Sequence, residues 1–67
     1  MIQISINGEA KTFPASLSIT DLVLALDLLG KRIAIERNGE IVAKSQYPAT
    51  WLADGDVLEM VVAVGGG

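Results

Sequence analysis

Neither cysteine nor histidine occurs in this chain, and the two absences remove much of the side-chain chemistry a protein can perform. Without thiols there is no disulfide framework and no thiolate metal site. Without imidazole the commonest general base and zinc ligand are missing too. Aromatic residues are scarce, with one Trp, one Tyr and one Phe. Basic side chains are outnumbered, five Lys and Arg against eight Asp and Glu, for a net charge of −3. That is the wrong sign for a protein that grips a phosphate backbone, so a basic protein surface is the complementary partner. Long apolar runs are lacking as well: the longest, 22–26 and 60–64, fall far short of the ~20 residues that cross a bilayer. No basic segment followed by an apolar run opens the chain. A cytoplasmic protein that binds neither nucleic acid nor membrane is expected.

What is there is one small apolar domain. A chain of 67 residues buries only about 60% of the surface it exposes when unfolded. Hydrophobic residues make up 51% of it, more than so small a core can hide, so part of the surplus is expected on an exposed association patch.

Residues 1–6 alternate, with Ile2, Ile4 and Ile6 on one face, and Asn7-Gly8 is the dipeptide favoured in type I′ hairpin turns. A second strand over 9–13 ends at Pro14, which cannot donate to a sheet ladder. From Ser18 the period changes: Leu22, Val23, Ala25, Leu26 and Leu29 lie along one helical stripe. Ser18 or Thr20 serves as the cap, Asp21 suits the first turn, Gly30 the left-handed position after the last, and Lys31 and Arg32 the negative end of the dipole. Strands over 33–37 and 40–44 flank a second hairpin signal, Asn38-Gly39. Residues 45–53 read as an irregular loop interrupted by Pro48 and anchored in the core by Trp51 and Leu52, and Asp54-Gly55-Asp56 turns the chain into a last strand over 57–64. The order is β-β-α-β-β-β, an α+β fold with one helix across one face of a mixed sheet and the other face left to water or a partner.

Catalytic motifs fail one by one. Lys11-Thr12 and Lys44-Ser45 lack the glycine-rich strand-to-helix setting of a phosphate loop. Asp54 and Asp56 do not begin a calcium loop, because Leu58 stands at the third ligand position and Gly65 at the twelfth. Arg32 and Arg37, with Glu36 and Glu40 beside them, read as a solvated charge face. No metal site and no catalytic residue is expected, and no bound cofactor. The remaining feature is the end: side chains stop after Val64, leaving Gly65, Gly66, Gly67 and a carboxylate. Three glycines without Cβ reach about 10 Å at ~3.3 Å per residue and fit a tunnel that excludes side chains. The domain is expected over 1–64, with 65–67 a flexible tail for insertion into a partner. Ala34, Val61 and Ala63 are docking candidates by strand phase, and Asp54, Asp56 and Glu59 by charge.

The ordered set of 1–8, a leucine-rich helix, the block 32–42, Asp54-Gly55-Asp56 and terminal Gly66-Gly67 resembles the ThiS family, the ubiquitin-like sulfur carrier proteins of thiamin biosynthesis. The resemblance covers nearly the whole chain and implies a β-grasp fold. It also implies that the protein is no enzyme but a co-substrate of enzymes. An E1-like adenylyltransferase of the ThiF type would activate the Gly67 carboxylate at the expense of ATP. Sulfur from a donor such as a cysteine desulfurase would convert it to a thiocarboxylate, a 1-thioglycine. Thiazole synthase of the ThiG type would then take that sulfur into the thiazole ring. Ala43 stands where the family often has proline, and Gly65 where many relatives carry a side chain. The rivals are the small subunit of molybdopterin synthase, similar in fold and Gly-Gly end but longer, a ubiquitin-like protein modifier, and a plain β-grasp interaction module.

Overall fold

The computed structural model describes residues 1–28 and 30–63. Leu29 and the segment 64–67 lie outside the described residues, and with them the expected helical position of Leu29, the end of the last strand at Val64 and the tail Gly65, Gly66 and Gly67. Five strands and one α-helix form in chain order: β1 (Ile2–Ile6), β2 (Glu9–Phe13), α1 (Ile19–Ala25), β3 (Ile33–Arg37), β4 (Glu40–Val42) and β5 (Val57–Val62), with a 3-10 helix at Lys44–Ala49 before β5. The sheet order is β2-β1-β5-β3-β4. Among the described residues only the β1–β5 pair is parallel; the β1–β2, β3–β4 and β3–β5 pairs are antiparallel. This is the expected mixed β-grasp sheet with the helix on one face.

Strand alternation puts Ile4 and Ile6 of β1, Ile35 of β3, and Leu58 and Met60 of β5 on the inner face. There they meet Ile19, Leu22 and Val23 of α1, which share one helical stripe, together with Tyr47 and Leu52. Both Asn-Gly hairpins form as their dipeptides predict: Asn7 and Gly8 have φ of 50° and 84°, Asn38 and Gly39 of 51° and 87°.

Helix α1 starts where the sequence indicates and stops earlier. The Ser18 hydroxyl accepts the Asp21 N–H at 3.1 Å while the Asp21 carboxylate accepts the Ser18 N–H at 3.4 Å, a reciprocal capping box. At the other end Leu26 is the C-cap and Asp27, not Gly30, takes the left-handed conformation that ends the helix, with φ 58°. The Asp27 N–H donates to the Leu24 carbonyl at 3.1 Å and the Leu28 N–H to the Val23 carbonyl at 2.9 Å, the pair of bonds of a Schellman motif. Leu28 is thereby turned back against the core. Gly30 (φ 85°) serves a further turn closed by the Lys31 N–H on the Leu28 carbonyl, so Lys31 and Arg32 lie beyond the helix rather than in its last turn.

The loop after β4 departs from expectation in a second way. Trp51 is 57% exposed and Tyr47 is the buried aromatic, at 6%. The cause is local strand pairing. The Ile19 N–H bonds the Thr50 carbonyl and the Leu52 N–H the Leu17 carbonyl, so 50–52 runs extended against 17–19. Neighbouring side chains there point opposite ways; Leu52 takes the core and Trp51 faces out. Burial raises the Tyr47 phenol pKa above its ordinary value.

Asp56 is the third departure. It is 7% exposed and does not stand on the surface. Its carboxylate accepts the Ala53 N–H at 2.8 Å, the Asn38 carboxamide at 3.1 Å and the Arg37 guanidinium at 2.9 Å, so Arg37 belongs to an ion pair and not to a solvated charge face. Burial opposes its ionisation, but the Ala53 N–H, the Asn38 carboxamide and Arg37 together bring its pKa below the ordinary value. The turn it closes, with Gly55 at φ 89°, is laid against β1: the Gly55 N–H bonds the Gln3 carbonyl at 2.8 Å, and the Asp54 carboxylate accepts the Gln3 N–H at 2.7 Å.

Because the folded pKa of Asp56 is depressed, the stability it contributes is complete above the unfolded value near ~4 and is lost as pH falls through the folded value. Asp56→Ala is expected to cost about 2–3 kcal/mol at neutral pH, and Asp56→Asn to flatten the loss of stability as pH falls below about 4, both read by urea unfolding. Ala43 has φ −67° and ψ 142° and follows the extended Val42. Ala43→Pro is therefore expected to stabilise the fold by about 0.4–1 kcal/mol, seen as a higher thermal midpoint.

Candidate functional site

The face of the sheet opposite α1 is the surface on which most of the docking candidates collect. The β3–β5 register sets Ala34 opposite Val61 and Glu36 opposite Glu59. Their strand neighbours Ile35, Leu58 and Met60 are buried on the other side, so all four stand on the open face. Ile41, 80% exposed, continues the Glu36 row onto β4, and Val61 is 66% exposed. Ile41 and Val61 thus expose apolar surface on this face, while Leu24 and Trp51 do so elsewhere.

The described part of the chain ends at one corner of this face. Beyond Val62 the Ala63 N–H donates to the Arg32 carbonyl at 2.8 Å, which fixes the direction in which β5 ends. A shallow groove there is lined by Arg32, Ala34, Lys44, Val61 and Ala63. Residues 64–67 follow it in sequence and lie outside the described residues.

Of the residues singled out by sequence, Ala34, Val61 and Ala63 come together at this corner, with Glu59 two positions before Val61 on the same face. Asp54 is exposed but lies at the β1 side of the sheet, bonded to Gln3. Asp56 is removed from the surface altogether by its burial beside Arg37. Ile41, Glu36, Arg32 and Lys44 belong to the face and were not among the docking candidates. The signal for the first two was present: once Asn38-Gly39 sets the hairpin register, Glu36 and Ile41 must be cross-strand neighbours facing away from Ile35 and Val42. Arg32 and Lys44 carry no local pattern, because they meet only through the fold.

Among the described residues no three acidic side chains are grouped to hold a metal ion, and no helix is long and apolar enough to cross a membrane. The arrangement offers a sheet face with an apolar, charge-edged surface beside Ala63, the last described residue.

A sequence model of the ThiS family matches residues 4–67. The chain belongs to the ThiS family. Sulfur carrier protein ThiS of Bacillus subtilis is 44% identical over 50 residues, 75% of this chain and 76% of that one. The crystal structure of the thiamine biosynthesis protein ThiS from Geobacter metallireducens superposes with a TM-score of 0.82 at 32% identity, covering 98% of this chain and all of that one. A thiazole synthase of Paramagnetospirillum magneticum is 42% identical over 66 residues, 98% of this chain. This ThiS-family chain spans only 20% of that relative's length, so the match reaches one part of a longer polypeptide. The family resemblance read from the residues, the β-grasp fold it implies and the β-β-α-β-β-β order read from periodicity all hold.

The division between the two faces of β5 can be measured. Val61→Thr, on the open face, is expected to change stability by less than about 0.5 kcal/mol, whereas Leu58→Ala, on the inner face, is expected to cost about 2–5 kcal/mol in denaturant unfolding.

Proposed function

We propose that this protein carries sulfur for thiamin biosynthesis as a thiocarboxylate on Gly67 and performs no catalysis itself. The observation that carries the reading is the ThiS-family match, which runs through the final glycines. The described part of the chain suits that role. Its buried side chains serve the fold, and its open face lies next to the point where the chain departs toward Gly65, Gly66 and Gly67.

The chemistry follows from the acid–base state of the terminal group. A C-terminal carboxyl with a pKa near 3.5 is ionised at neutral pH, and a carboxylate resists attack by a sulfur nucleophile. An E1-like adenylyltransferase removes that resistance: a carboxylate oxygen attacks the α-phosphorus of ATP, pyrophosphate leaves, and the acyl carbon becomes an electrophile bearing AMP. The terminal sulfur of a persulfide supplied through a cysteine desulfurase attacks that carbon and expels AMP to give an acyl disulfide. A thiol then cleaves the S–S bond, leaving the 1-thioglycine end and a disulfide of the two carrier thiols. The adenylate needs an unhindered approach into the partner's site, which residues without Cβ permit. Thiazole synthase is the acceptor in this reading. Polypeptides that bear its name in Paramagnetospirillum magneticum and Magnetococcus marinus contain a segment similar to 98% of this chain, as a direct physical linkage of carrier and acceptor would produce.

Incubation with an E1-like enzyme, ATP and a sulfur donor is expected to raise the intact mass by the replacement of one oxygen with sulfur, with the change confined to the C-terminal peptide. Removal of Gly66 and Gly67 is expected to abolish the gain and leave the thermal midpoint unchanged. Gly66→Ala is expected to slow loading at least tenfold with stability intact, since its methyl group enters a channel shaped for glycine. An unchanged mass sinks the proposal, and a ladder of lysine conjugates identifies a protein modifier instead.

A further inference from the structure

We propose that Glu36 and Glu59 act together as the acceptor for one arginine of the thiazole synthase, and so fix the orientation in which the carrier presents its end; the inference rests on the sulfur-carrier reading above. The two glutamates are direct cross-strand partners on β3 and β5. Both are exposed on the open face while their neighbours Ile35 and Met60 are buried. Like charges placed opposite each other on adjacent strands have Cβ atoms about 4.5–5.5 Å apart and repel.

Nothing within the described chain relieves that repulsion. Among the described residues the ion pair is Arg37 with Asp56, so neither Glu36 nor Glu59 has a basic partner in the free protein. A pair that costs the isolated fold stability and returns none is accounted for by a countercharge that arrives from outside. The planar guanidinium of arginine, with its fork of donors, can bridge two carboxylates at this spacing where a lysine ammonium acts only as a point charge.

The surroundings favour a protein over a small ion. Ile41 flanks Glu36 on β4, and the Ala34–Val61 pair forms the next row toward the tail exit. Covering these apolar groups removes water from around the carboxylates and strengthens the charge contact. Charge also changes sign along the face, with Arg32 and Lys44 lining the corner where the chain leaves. An acceptor with a basic group over the glutamates and an acidic rim at the corner fits in one orientation only, because rotation by half a turn sets like charges together. The thiazole synthase is assigned as occupant because two relatives of that name contain a segment matching this chain.

The test measures thermal midpoint and affinity for thiazole synthase in Glu36→Gln, Glu59→Gln, the double variant and Glu59→Lys. Each neutralisation is expected to raise the midpoint by ~1–4 °C, and Glu59→Lys at least as much, since it turns repulsion into a cross-strand ion pair. Affinity is expected to move the other way. A loss of about fivefold is expected for each single neutralisation and at least twentyfold for the double variant at low ionic strength, with smaller losses at high salt. Glu59→Lys is expected to bind more weakly than Glu59→Gln. A lowered midpoint in the Gln variants, or affinity equal to wild type, overturns the inference. So does a calcium-induced rise in midpoint that the double variant lacks, which would make the pair a cation site. Wild-type protein that gains sulfur but binds the synthase independently of the two glutamates defeats this inference alone. Wild-type protein that never gains sulfur defeats the reading beneath it and this inference together.

Discussion

The fold depends on the capture of β5 by two asparagine side chains. β1 ends at Ile6, and its parallel ladder on β5 would end there too. Instead the Asn7 carboxamide accepts the Met60 N–H at 2.7 Å and donates to the Met60 carbonyl at 2.9 Å, completing the next set of bonds with a side chain. On the other flank Asn38 grips the first residue of the strand: its own N–H donates to the Val57 carbonyl at 2.8 Å and its side-chain oxygen accepts the Val57 N–H at 2.9 Å. Each asparagine occupies a left-handed turn position that few other side chains tolerate, and each spends its side chain on the same strand. The two hairpins, β1–β2 and β3–β4, are joined through β5 as the middle strand. In so small a domain, where each buried side chain is a large fraction of the core, a slip of β5 by one residue would exchange Leu58 and Met60 for Glu59 and Val61.

That register is also what separates structural charge from surface charge. Asp56, just before β5, turns inward to Arg37 and Asn38 and helps set the start of the strand. Glu59, three residues on, is turned outward by alternation and meets Glu36. Two carboxylates so close in sequence thus have opposite physical tasks, one satisfied within the fold and one without a basic counterpart among the described residues. The apolar excess noted in the composition divides along the same line: Leu58 and Met60 build the core, and Val61 with Ile41 remains in water on the sheet's open side.

This division explains what the residues alone could and could not disclose. Strand alternation, the two Asn-Gly turns and the Ser18 cap are local signals, and each produced the element it indicates. The misplacements arose where a long-range contact outweighed a local preference. Gly30 is the better left-handed residue, yet the helix ends at Asp27 because Leu28 gains a place against the core by turning back. Trp51 has the larger apolar surface, yet the pairing of 50–52 with 17–19 gives the inward position to Leu52. Asp56 looked like Asp54 in an acidic turn, and only the approach of Arg37 across 19 residues of chain distinguishes them. At the candidate site, phase puts Ala34, Val61 and Ala63 on one face, where the strand register also has them, while Arg32 and Lys44 become neighbours of that corner only in three dimensions.

The middle strand of the sheet is also its last in chain order. During synthesis the two hairpins emerge first, and neither can acquire its inner neighbour until 57–62 has been made. Until then the edges of β1 and β3 that face the vacancy display unpaired backbone groups, an invitation to wrong partners that such edges always extend. A nascent chain halted before Val57 therefore has no route to a closed sheet, and quality control meets it as two loose ribbons. Foldedness itself becomes the certificate that translation has passed the final strand.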